Sequence, residues 1–185
     1  MFLITGKRLL LVTLLAACNH AAAKDLKEFL SPRFAYSVRY PGEWHLSGPS
    51  DPFQITNYAA SESPRAVVIP DDGAIIRIGV PAELRPLPRN PTTLDEWVSF
   101  GTAHFNVTRK RAMNVGVGTG KIAVIEATIV DDLDAPRYQE TLDWFFQKDG
   151  GFFMASLMYW RGNPAAPKLR EVLTQVVSSL RVLHR

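Results

Sequence analysis

Cys18 is the only cysteine among 185 residues, and its surroundings point to one use for it. Met1 to Arg8 carries Lys7 and Arg8, Leu9 to Ala17 is apolar apart from Thr13, and the small residues Ala16 and Ala17 precede the cysteine. Basic, then apolar, then small is the order of a secretory signal. The apolar run is too short for a transmembrane helix, which takes about 20 residues. A lipoprotein peptidase cutting before Cys18 leaves that residue N-terminal and lipidated. The rival is ordinary cleavage after Ala23, behind Ala21-Ala22, which gives a soluble periplasmic or secreted protein. The lipoprotein reading fits better. A lone cysteine makes no internal disulfide, an unmodified thiol is a liability in an oxidising compartment, and several acyl chains together give stable attachment. The membrane is therefore an expected partner, through a lipid anchor on Cys18. Asn19 rather than Asp after the cysteine leans towards the outer membrane, facing the periplasm.

Other groups capable of chemistry do not converge in the sequence. His20, His45, His104 and His184 form no H-x-x-x-H or H-x-x-E pattern, and zinc needs three or four converging ligands. No G-x-S-x-G elbow is present to expose a serine nucleophile. Gly116-x-Gly118-x-Gly120 is followed by a β run rather than a helix, so it reads as a turn and not a phosphate cradle. Asp131-Asp132-Leu133-Asp134 lacks the remaining ligands of a calcium loop and reads as an exposed acidic turn. Asn106-Val107-Thr108 matches a glycosylation acceptor by chance. The expectation is a protein without cofactor, metal or enzymatic activity. Charge gives no reason to expect nucleic acid. The chain holds 21 Lys and Arg against 18 Asp and Glu, and without Lys7 and Arg8 the balance is 19 against 18, so much of the pI of about 9.1 belongs to the signal.

Two groups remain as candidate interaction surface. Trp144, Phe145 and Phe146 are consecutive, so both faces of a strand there carry a ring. Phe152, Phe153, Tyr159 and Trp160 lie on its hairpin mate. One face is core, and the other is covered by a helix, a loop or a partner. Trp144, Phe146, Phe153 and Trp160 are the candidates. Arg85 and Arg89 are the second group, displayed on the stiff segment Pro81 to Pro91, whose four prolines make it an extended loop.

The elements that must hold these groups follow from period and punctuation. Phe34, Tyr36, Val38 and Tyr40 alternate with Ala35, Ser37 and Arg39, which marks a strand with one buried face. Pro41-Gly42 turns the chain, and strands follow at 44–46, 53–58 and 74–80. Thr93 to Glu96 is a capping box opening a helix over 94–105, with Leu94, Trp97, Val98, Gly101 and Phe105 on its packed face. Strands at 107–113 and 121–130 come next, the latter apolar on both faces and so interior. The hairpin 138–147 and 152–160 turns on Lys148-Asp149-Gly150-Gly151. Leu169, Val172, Leu173, Val176, Val177 and Leu180 mark a helix over 166–180, and a short end strand covers 181–183. The predicted organisation is a signal over 1–17, a lipidated cysteine and tether over 18–28, and one globular α+β domain over 29–185. Its sheet is mostly antiparallel and covered by helices.

Phe34 to Trp44, which contains Tyr40-Pro41-Gly42-Glu43-Trp44, resembles the opening strand and YP-x-x-W turn of the PsbP-like superfamily. That group shares an α/β/α sandwich with the Ran-binding Mog proteins and DcrB-like periplasmic lipoproteins. The ending is also similar: a strand over 152–159, a polar loop, and a helix closing on Val177-Ser178-Ser179-Leu180-Arg181-Val182. The resemblance spans about 29–183, and its motifs are structural, with Tyr40 and Trp44 as turn and core residues. It implies a non-enzymatic role as a subunit, assembly factor or binding partner at a membrane, here with an envelope protein. A small ligand or metal ion is the alternative, and a hydrolase comes behind both.

Overall fold

The computed structural model describes residues 25–47, 52–59, 69–84, 87, 89–116, 120–131 and 135–183. Cys18, Arg85 and Asp132 to Asp134 lie outside them. Every strand pairing is antiparallel. The larger sheet has seven strands: β3 (His45–Leu46), β4 (Phe53–Thr56), β5 (Ala74–Gly79), β6 (Val107–Val115), β7 (Ile122–Val130), β8 (Gln139–Lys148) and β9 (Gly151–Trp160). Their spatial order is β3-β4-β5-β9-β8-β7-β6. The smaller sheet joins β1 (Leu26–Ser31), β2 (Tyr36–Pro41) and β10 (Arg181–Val182), with β2 in the middle.

Three of the elements have a local cause. The β8–β9 hairpin turns on Asp149 (φ 47°) and Gly150 (φ 80°), the two left-handed positions of a tight turn whose twist suits the strands. Helix α2 (Leu94–Thr102) starts at Thr93, whose hydroxyl accepts from Glu96 N at 3.1 Å. The reciprocal arm is displaced by one residue, because the Glu96 carboxylate accepts from Thr92 N at 2.7 Å. Helix α3 (Ala166–Ser179) buries Leu169, Val172, Leu173, Val176 and Val177 along one stripe, as its period requires. Asn163 Oδ1 accepts from Ala165 N just before its first turn.

Helix α3 and the small sheet lie together on one face of the large sheet, and α2 lies on the other. The first interface is the main core. Tyr36, Val38 and Tyr40 meet Phe53, Ile76, Ile78, Trp144, Phe146, Phe153 and Leu157 there. The second is smaller, with Trp97, Val98, Phe145, Ala127 and Met154 at its centre. Trp97 donates its indole N–H to Phe153 O at 2.9 Å, which satisfies the polar end of a buried ring.

Five expectations are corrected. Leu26 to Glu28, placed in the tether, are paired strand residues of β1. Ala35 has φ 53°, so the second strand begins at Tyr36 rather than Phe34. The proline-rich segment is not wholly extended: Pro81–Leu84 form one helical turn, α1, because a proline suits a first helical position. Helix α2 stops at Thr102, which leaves Phe105 beyond it and exposed. The strand expected over 53–58 ends at Thr56.

Candidate functional site

Strand register sets polar groups in a line across the large sheet. Gln54 on β4 pairs with Arg77 on β5, Arg77 with Ser156 on β9, and Ser156 with Asp143 on β8. All four occupy the face that carries α2. The helix covers the sheet around Phe145, with Trp97 edge-on to that ring at 5.5 Å, and does not extend over the polar row beside it, where Asp143 and Ser156 are nonetheless buried. A cleft of about 210 Å³ opens there. Its floor and walls are Ile75, Ile129, Met154 and Met158, with Leu84 and the exposed Phe105 from the surrounding turns. Arg77, Thr141, Asp143, Ser156 and Asp131 supply the polar lining.

The two charges in the row, Arg77 and Asp143, offset each other. Ser156 Oγ donates to Asp143 Oδ1 at 2.5 Å. Arg77 donates through Nε to Gln54 Oε1. Burial pulls the Arg77 pKa below its ordinary value, and the Asp143 carboxylate, then Tyr58, act against that fall. Burial raises the Tyr58 pKa, opposed by Arg77, and its hydroxyl is buried without a hydrogen-bond partner among the described residues. A serine nucleophile needs a positioned base of suitable pKa. The hydroxyl of Ser156 instead faces a carboxylate, and among the described residues no histidine lines the cleft. The arrangement can hold an apolar group and hydrogen-bond a polar group beside it.

Another buried carboxylate lies on the opposite face. Glu126 on β7 accepts from Arg111 Nε and Arg170 Nη1, each at 2.8 Å, and from Trp144 Nε1 at 2.9 Å. Burial alone would raise its pKa, but the bonds from Arg170, Trp144 and Arg111 more than reverse this and hold it below the ordinary value. Arg170 is on α3, so the cluster fastens that helix to the sheet. Nearby, Tyr159 donates to Glu140 at 2.5 Å. Among the described residues no three His, Cys, Asp or Glu side chains converge as metal ligands, and no helix is long and apolar enough to cross a membrane.

The sequence candidates divide as follows. Trp144, Phe146 and Phe153 are 1%, 0% and 2% exposed, so they are core and not a contact surface. Phe146 and Phe153 stack at 5.8 Å beneath α3 and the small sheet. Trp160 is half-buried on the cleft side of β9. Its N–H donates to Ile69 O at 2.7 Å, and Arg137 lies 4.2 Å from its ring centroid. Arg89 is exposed, but its guanidinium bonds Glu96 and sits over Phe100, so it braces α2. Sequence reasoning missed Arg77, Asp143, Ser156 and Glu126. Each is a polar residue inside an otherwise apolar strand, and the turn at Asp149-Gly150 already sets Asp143 opposite Ser156.

No protein-family model and no curated protein matches the sequence. Solved structures match its architecture. A Bacteroides thetaiotaomicron protein aligns over 86% of this chain with 15% identity and a TM-score of 0.49. The chain spans 49% of that protein, about half its length. The Saccharomyces cerevisiae Ran-binding protein Mog1p aligns over 87% of this chain and 97% of its own, with 12% identity and a TM-score of 0.47. A cyanobacterial PsbP from Synechocystis covers 91% and 98%, at 14% identity and 0.41. The last two are of the kinds to which the sequence resemblance pointed.

Proposed function

We propose that this chain is an envelope lipoprotein, held at a membrane by acylation of Cys18, and that its domain binds part of another protein without carrying out chemistry. The observation behind this reading is the uncovered cleft. Its walls are in large part apolar, the buried charges of Arg77 and Asp143 offset each other, and among the described residues no histidine lines it beside Ser156. An apolar side chain of a partner would leave water for Ile75, Met154 and Met158, while Thr141 and Ser156 would fix its orientation.

The experiment is site-specific photo-crosslinking in the intact envelope. A photoreactive residue replaces Phe105 at the cleft rim, or Glu171 on the exposed side of α3 as control. The expected result is one discrete protein adduct from position 105 and none from 171, lost when Met158→Lys fills the cleft. Equal labelling at both positions would overturn the reading. The volume of about 210 Å³ also favours a second reading, a small ligand. Native mass spectrometry of freshly isolated protein then shows a bound mass that Met158→Lys removes. Intact-mass measurement tests the anchor: acyl mass on an N-terminal Cys18 supports it, and an unmodified Lys24 N-terminus overturns it.

A further inference from the structure

We propose that the outer face of the three-stranded sheet rests on an anionic phospholipid bilayer, with Leu26, Leu30 and Leu183 entering the headgroup boundary. Alternation along β1 turns Phe29 and Ser31 inward and Leu26, Glu28 and Leu30 outward. Leu26 is 52% exposed, Leu30 56% and Leu183 37%. Single exposed leucines are ordinary on protein surfaces. Here three of the five large exposed hydrophobics among the described residues share one face of the smallest sheet. Leu30, Ser37 and Arg181 form one row across the three strands. Leu183, whose N–H bonds Ala35 O, lies two residues beyond Arg181 on the same side.

The charges on this face suit lipid phosphates. Among the described residues Arg39 and Arg181 are both exposed there, against one acid, Glu28, which stands opposite Arg39. Apolar side chains flanked by guanidinium groups combine shallow insertion with attraction to anionic headgroups. Position along the chain supports the same occupant. Cys18 precedes Leu26 by eight residues, a reach of at most about 27 Å when fully extended. An acylated Cys18 therefore keeps β1 within roughly one domain diameter of the bilayer, and this is the face that β1 carries. Which membrane surface is met rests on the lipoprotein reading; affinity for lipid does not.

The test uses the chain from residue 18 with Cys18→Ser, so that no acyl group contributes. It is floated with vesicles of phosphatidylethanolamine and phosphatidylglycerol, or of phosphatidylcholine alone. Binding to the anionic vesicles is expected. Leu26→Ser with Leu30→Ser should weaken it about tenfold, since burial of apolar groups is lost. Arg39→Gln with Arg181→Gln should weaken it several-fold and flatten its salt dependence. Leu46→Ser, an exposed leucine on another edge, should change nothing, and circular dichroism confirms that each variant is folded. Equal binding to both vesicle types, or full binding by the leucine double variant, overturns the proposal. So does a dimer in sedimentation that the leucine variant abolishes, because it assigns the face to a second copy. An unacylated Lys24 N-terminus in cells would remove the anchor and leave these vesicle results standing.

Discussion

The seven-stranded sheet carries one buried carboxylate on each face, and the two have opposite circumstances. Glu126 is bonded from three elements, by Arg111 on β6, Trp144 on β8 and Arg170 on α3. Asp143 is bonded by Ser156 on the adjacent strand and faces Arg77 one strand further on. Helix α3 and the small sheet seal the first face. Helix α2, shorter and set over Phe145, closes only part of the second. The chemistry of the acids is similar, so cover decides their roles. One is a fastening for a helix, and the other borders a cleft that can exchange water for a ligand.

Substitutions can break this contrast, beginning with the sealed face. Trp144→Ala should cost about 3–5 kcal/mol, the range for removing a large buried ring. Urea unfolding measures it, and a loss below about 1 kcal/mol would mean that the face is not sealed. Glu126→Gln leaves two guanidinium groups without their counter-charge and should cost about 2–3 kcal/mol. It should also alter the acid limb of stability. The folded carboxyl titrates below its ordinary value of 4.5. Its contribution is therefore complete above that value and is lost as pH falls through the lower folded one. Wild-type stability should drop more steeply than that of the variant below about pH 4.5.

The open face should respond less. A Cβ at Gly101 would lie 2.2 Å from Phe145 Cε1, so α2 sits against the sheet through a glycine. Gly101→Ala should cost about 2 kcal/mol by forcing helix and ring apart, with the loss seen in thermal unfolding. Ser156→Ala removes one buried hydrogen bond and should cost about 1 kcal/mol. Phe105→Ser should change stability by less than about 0.5 kcal/mol while weakening capture of the cleft's occupant. A stability loss as large as that of Trp144→Ala at either position would erase the distinction between the faces.

Local signals made much of this visible beforehand. The β8–β9 hairpin, α3 and the start of α2 follow from Asp149-Gly150, an apolar stripe and Thr93, all within a few residues. The hairpin also set Asp143 against Ser156. Arg77 joins them only because β5 lies beside β9, about eighty residues later in the chain, and no local pattern encodes that pairing. The consecutive rings at 144–146 could not declare which face would be covered. That depended on α3 docking through Arg170 to Glu126. Strand β1 was hidden for a related reason: Leu26-Lys27-Glu28 has no apolar alternation of its own, and its order comes from β2.

The small sheet draws on both ends of the described chain. Arg181 and Val182 pair with Ser37 and Tyr36, and Ser179 Oγ bonds both the N–H and the carbonyl of Arg39, 140 positions away. A two-stranded hairpin such as β1–β2 is at best marginally stable alone in water. A chain emerging N-terminus first therefore makes this hairpin early but cannot lock it until the last helix and strand arrive. The small sheet is therefore completed only when residues 179–182 arrive, although its first two strands are neighbours near the start of the described chain.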